Sequence, residues 1–128
     1  MFSKLKNQYL IAGLVLLLAV MLGAFGTHSL KDILNTKTMV TYKTGISYQF
    51  YHGFALLLMP LISMVTKVDL TKPFLAFLVG VILFSFNCYI YSVTLIKPIA
   101  MIIPLGGLMF MAGWIIFIYK MYKSESLK

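Results

Sequence analysis

Of 128 residues, 61% are hydrophobic and 11% are charged, with a mean hydropathy of +0.95. Soluble domains carry about 45–50% apolar residues, so this chain holds more apolar side chains than a small soluble core could bury. The net charge of +8 comes from lysines that flank apolar runs, a layout that anchors helices to anionic headgroups and excludes the basic face of a nucleic-acid-binding domain.

The first apolar run, Tyr9 to Gly26, follows Lys4 and Lys6. It has the outline of a secretory signal, and Ala24-Phe25-Gly26 mimics a cleavage site. The remaining chain is just as apolar, so the run is read as a retained first span over about 9–27. A longer connection, Thr27 to Thr44, places Leu30, Ile33 and Leu34 at helical spacing, with Ser29 as a candidate cap and Asp32 three places on. It predicts a short amphipathic helix in the membrane interface that could continue into the second span.

Further spans follow at about 45–65, 74–95 and 99–119, each near the ~20 residues that cross the hydrocarbon. The connection Ile96-Lys97-Pro98 is short enough to force an antiparallel helical hairpin. No run alternates with period two, so helices rather than a barrel are expected. The fold class is therefore all-α: one integral membrane domain over 1–128, a four-helix bundle with a short amphipathic helix between spans one and two. Lys4, Lys6, Lys67, Lys72, Lys120, Lys123 and Lys128 would lie on one side, against Lys31, Lys37, Lys43 and Lys97. The positive-inside rule then puts both termini in the cytoplasm of a bacterial plasma (inner) membrane.

Helices in lipid associate through close packing at small residues. Ala19 and Gly23 form a small-xxx-small pair in span one, which Ala12 and Gly26 extend. Gly106, Gly107 and Gly113 mark a seam in span four. In span three Gly80, Phe84, Asn87, Tyr91 and Thr94 share a face at 100° per residue. These stripes read as bundle seams, with a lipid or solute groove as the alternative that spacing leaves open. Pro60 and Pro104 lie inside spans, where neighbouring helices can satisfy the freed carbonyls. Cys88 reads as a small buried apolar residue.

The polar residues of "GISYQFYHGF", Gly45 to Phe54, need partners at membrane depth. Tyr48, Gln49 and His52 fall on one face, and His52 lies about 10 Å in if the helix starts at Gly45. His28 closes span one at the same end of the bundle. His28, Tyr48, Gln49 and His52, with Asn87 and Tyr91, are therefore expected to form one hydrogen-bonded cluster. Its bland role is to tie helices together. Two histidines are too few for a zinc site, and they permit but do not imply a bis-histidine haem, so no metal and no cofactor is expected. No acid lies inside a span to serve a proton relay, and no serine has a His–acid pattern.

Four ordered stretches, "LGAFGTHSL" (Leu22 to Leu30), "YQFYHGFALL" (Tyr48 to Leu57), "LFSFNCYIY" (Leu83 to Tyr91) and "IIPLGGLMFMAGW" (Ile102 to Trp114), carry a further signal. They resemble domain-of-unknown-function family 423, the YgdD/YwdK-like small bacterial membrane proteins, whose eukaryotic relatives are called transmembrane protein 256. The resemblance implies a four-helix membrane protein and no assigned activity. It carries over to Gly23, Phe25, Gly26, His28, Tyr48, Gln49, His52, Ser85, Tyr89, Pro104, Gly106, Gly107, Gly113 and Trp114. Thr27, Ser29, Phe86, Asn87 and Ile103 depart from the family pattern.

The expected function is a non-enzymatic accessory, assembly or membrane-stabilising protein. Its expected partners are membrane lipids and either another membrane protein or a second copy of the chain, with no nucleic acid. The alternative is a small transporter, channel or lipid-binding protein with a polar pocket near His28 and His52.

Overall fold

In the computed structural model, residues 2–124 are described. Glu125 and Lys128, both counted in the charge balance, lie outside them. The elements are α1 (Phe2–His28), α2 (Thr36–Thr66), α3 (Thr71–Val81), a π-helical turn (Ile82–Phe86), α4 (Asn87–Thr94) and α5 (Lys97–Tyr122). The segment from α3 through the π turn to α4 is one continuous rod. Four rods are long and apolar enough to cross a membrane.

The helix expected between spans one and two is not a separate element. Ser29 ends α1 instead of starting a helix, its amide donating to Phe25 O at 2.8 Å. Leu30 to Leu34 form a tight turn, closed by Leu34 N on Leu30 O at 2.9 Å. Leu30 is buried with Tyr42 and Tyr89, and Leu34 packs against that cluster. The true start signal is Asn35, whose extended backbone and Oδ1, accepting from Thr38 N at 3.0 Å, cap α2. From there α2 runs for 31 residues, about 46 Å at 1.5 Å per residue. That exceeds the ~30 Å hydrocarbon, so residues 36–44 extend span two into the space the interface helix was expected to fill.

Helix α1 buries a narrow stripe: Leu5, Gln8, Ala12, Val15, Ala19 and Gly26. Their spacing of three and four residues, closing with a step of seven to Gly26, keeps one seam facing antiparallel α2. Ala12 and Ala19 are wholly buried, Gly23 faces Ile46, and Gly26 lies directly under the Tyr42 ring. The core joins Ala12 and Val15 to Leu56 and Met59 of α2, to Phe74, Phe77 and Val81 of α3, and to Phe110 of α5.

Leu95 turns the chain in the left-handed region (φ 56°), and α5 returns antiparallel beside α3. Rings and glycines interlock along this hairpin. Phe110 fills the space over Gly80, Phe77 that over Gly113, and Gly106 rests on the backbone at Leu83 and Phe84. Gly107 makes only ordinary contact with the Phe84 ring, at 3.9 Å. Pro60 and Pro104 sit within unbroken helices.

One end of the bundle gathers the start of α1, the 67–70 loop and the end of α5. Lys4 pairs with Asp69 at 3.5 Å, and Lys120 Nζ donates to Asp69 O at 2.6 Å. The Thr71 hydroxyl, helped to a lesser degree by the Thr71 amide and these lysines, holds the Asp69 carboxyl below the usual carboxylate range against the opposing effect of burial. Lys67 closes α2 in the left-handed region (φ 59°).

Candidate functional site

Polar side chains inside a bilayer are costly until they are paired, so their partners define what the interior can do. Gln49 is 0% exposed. Its Nε2 donates to Val15 O of α1 at 2.8 Å, and its Oε1 accepts from the Tyr89 hydroxyl of α4 at 2.6 Å. One carboxamide thus ties three rods. Tyr42 adds a second tie to α1, its hydroxyl donating to Leu22 O at 2.6 Å, and its ring packs on Tyr89 at 4.9 Å.

His52 occupies a separate aromatic layer. Its ring stacks on Phe110 at 3.5 Å and 7° between planes, with Phe77 at 5.3 Å. The Trp114 indole N–H donates to Nε2 at 3.3 Å, and Nδ1 meets Tyr48 O at 2.9 Å. Indole only donates and a carbonyl only accepts, so Nε2 holds a lone pair and Nδ1 holds the proton. This fixes a neutral imidazole as a single tautomer. Both ring nitrogens are thereby occupied. Tyr48 flanks the layer, its ring 4.7 Å from Phe84 and 6.0 Å from Phe110.

The expected six-residue cluster therefore divides. Gln49 and His52 are both buried but in separate layers, Tyr48 flanks the His52 layer as a partly exposed ring, and His28, Asn87 and Tyr91 join neither. His28 is exposed at the end of α1, about 18 Å along that helix from Leu16, which packs at Gly53 beside His52. Because α2 begins at Thr36, His52 lies about 24 Å from its start, far deeper than a start at Gly45 implies. Asn87 turns back on its own rod, Nδ2 donating to Ile82 O at 3.2 Å and Leu83 O at 3.0 Å and so covering carbonyls of the widened turn.

The place expected for Tyr91 beside Gln49 is taken by Tyr89. A π turn carries about one extra residue, which rotates the rest of the rod by about 100° relative to a straight helix. Cys88 and Ser92 consequently occupy the buried line that a straight rod would give Asn87 and Tyr91, and Tyr89 comes to face Gln49. In the sequence, Tyr89 and Trp114 are marked only by the family motifs, since spacing alone cannot locate a π turn. Among the described residues, Ser85 Oγ is buried without a hydrogen-bond partner, and no three His, Cys, Asp or Glu side chains converge as a metal site would require.

Two clefts open on the α1–α2 seam. One, of about 560 Å³, lies at the end where the termini meet, between Lys4, Leu5 and Gln8 of α1, Met59, Ser63 and Met64 of α2 and the 67–71 segment. The other, of about 360 Å³, lies towards the opposite end between Gly23, Gly26 and Thr27 and the Met39–Ser47 stretch of α2. Neither is lined by His28 or His52.

Replacing His52 by phenylalanine keeps the stacked ring and removes both polar contacts. The expected loss is about 0.6 kcal/mol and at most ~1.7 kcal/mol, the range for single interhelical hydrogen bonds in lipid. Emission from Trp114, the single tryptophan, should shift with it in detergent. Unaltered emission would mean that the indole–imidazole contact does not form.

Apolar rods of bilayer length, with polar groups satisfied across helices instead of by water, define a multi-pass α-helical membrane protein. The family described as "Protein of unknown function (DUF423)" matches residues 22–107, and the chain belongs to it. A UPF0382 membrane protein of Staphylococcus haemolyticus is 34% identical over 119 residues, covering 93% of this chain and 98% of the relative. One of Haemophilus influenzae is 35% identical over 124 residues, covering 96% of this chain and all (100%) of the relative. No solved structure matches the chain.

Proposed function

We propose that this protein is a non-enzymatic accessory, assembly or membrane-stabilising protein of the bacterial plasma (inner) membrane, with both termini in the cytoplasm. The observation that carries the reading is the use of its interior polar groups. The Gln49 carboxamide and both His52 nitrogens are engaged between or within helices, so the chemistry they offer is cohesion rather than passage or turnover. The lysine-rich end that holds Lys4, Lys67 and Lys120 supports the orientation, because cationic loops are retained on the cytoplasmic side. What remains for function is the outer surface, which contacts lipid and any membrane partner.

Cross-linking in native membranes, followed by affinity purification in mild detergent, tests this. A stoichiometric membrane-protein partner, or a second copy of the chain, is the expected product. Solute flux through reconstituted vesicles that His52→Ala abolishes without altering the unfolding midpoint would replace this reading with a transporter. Reporter fusions at the 29–35 turn and at the C-terminus should report opposite sides of the membrane.

A further inference from the structure

The 560 Å³ cleft between α1 and α2 opens where the termini and the 67–70 loop come together. Its floor is apolar, with Leu5, Met59 and Leu70 all buried. Its rim is cationic, with Lys4 on α1 and Lys67 just past the end of α2. Between floor and rim stands Gln8, nine-tenths buried (9% exposed) and lining the cleft, whose carboxamide makes no hydrogen bond to the described residues. Ser85 Oγ is the one buried side-chain polar atom without a partner among the described residues, so the Gln8 carboxamide opens onto the cleft, where its N–H can donate to a group from outside the chain. Ser63, the uncharged polar side chain that α2 contributes here, is already committed, donating to Val68 O at 2.7 Å.

We propose that this cleft binds one anionic phospholipid, its phosphodiester between Lys67 and the Gln8 amide and its proximal acyl carbons on the Leu5–Met59 floor. Charge and depth select that occupant. Asp69 is the one carboxylate on the rim, and it is taken up by Thr71 and by Lys4 at 3.5 Å. Lys67 has no ion-pair partner among the described residues and faces the cleft as an available cation. An ammonium and an amide N–H both donate to phosphate oxygens, and neither favours the quaternary ammonium of a zwitterionic headgroup. An apolar floor below a cationic rim, at the end of a membrane-spanning bundle, fits an amphiphile better than a free anion. The site rests on the membrane placement of the rods and not on the accessory role proposed above.

The test is native mass spectrometry of the full chain released from mild detergent, after exposure to phosphatidylglycerol or to phosphatidylcholine with the same acyl chains. One phosphatidylglycerol is expected to stay bound where phosphatidylcholine is lost. Lys67→Ala should weaken its retention about fivefold, the equivalent of about 1 kcal/mol for a lysine at an anionic surface. Gln8→Leu should weaken it as well, and Asp69→Asn, by releasing Lys4, should strengthen it. Lys97→Ala, at the opposite end of the bundle, should leave it unchanged. Equal retention of the two lipids, or equal losses for Lys67→Ala and Lys97→Ala, would overturn the proposal. So would displacement by excess inorganic phosphate, which would make the cleft a free-anion site. Lys67→Arg guards against misfolding, since it keeps the charge and must keep the lipid.

Discussion

Alanine at position 49 should destabilise the bundle by about 3–5 kcal/mol, measured by unfolding in mild detergent. Two costs combine. Deleting a fully buried side chain leaves a cavity, worth about 2–5 kcal/mol for residues of this size. It also strands the Tyr89 hydroxyl, and an unsatisfied buried donor costs about 1–3 kcal/mol. The Val15 carbonyl loses less, because it lies within a helix and keeps its backbone partner. Gln49→Leu restores most of the volume and isolates the polar share. Tyr89→Phe alone should cost less than Gln49→Leu, and the double variant less than their sum, with a coupling of about 0.6 kcal/mol and at most ~1.7 kcal/mol. Strict additivity of the two substitutions would show that the carboxamide does not hold span two to span three.

The second large effect belongs to a pair of adjacent glycines with opposite expected signs. Helical Gly→Ala alone favours the helix by about 1 kcal/mol. At Gly107 the new methyl meets only ordinary contact with the Phe84 ring, so that gain should survive and the variant should be as stable as the parent or more so. At Gly106 the methyl would lie 2.8 Å from the Leu83 carbonyl carbon and 2.7 Å from Phe84 Cβ. Backbone cannot swing aside as a ring can. Overpacking of this kind costs about 1–3 kcal/mol, so Gly106→Ala should unfold at distinctly lower denaturant than Gly107→Ala. Equal midpoints for the two would mean that α5 does not cross the π turn this closely.

The candidate site was legible in part. A carboxamide and an imidazole within an apolar run must find partners, and this singled out Gln49 and His52 before any contact was known. Their partners were not legible. Val15 contributes a carbonyl that every residue owns, so its side chain carries no hint of the bond. Phe110 and Phe77 read as ordinary lipid-facing or core rings until Gly80 and Gly113 are seen beneath them. His28 shares an expected depth with His52 only if span two starts at Gly45, and the nine residues of α2 before that point carry Lys37 and Lys43, which hide its true start.

Composition and spacing alone determined that the chain makes four membrane-length helices, since apolar runs of that length must bury their backbone polar groups in helices wherever water is absent. They also determined the second and third turns, through the lysines, prolines and short polar joints at 66–73 and 96–98, but not the first, which lies at 29–35. Small-residue spacing marked the inward faces of the first and fourth rods, but which residues of the third rod look inward beyond its middle was decided by tertiary structure. One widened turn at 82–86 shifts span three by about a residue, exchanging Tyr91 and Asn87 for Ser92 and Cys88 and bringing Tyr89 to Gln49. That turn lies where Gly106 presses on Phe84, a contact between rods that no local preference encodes.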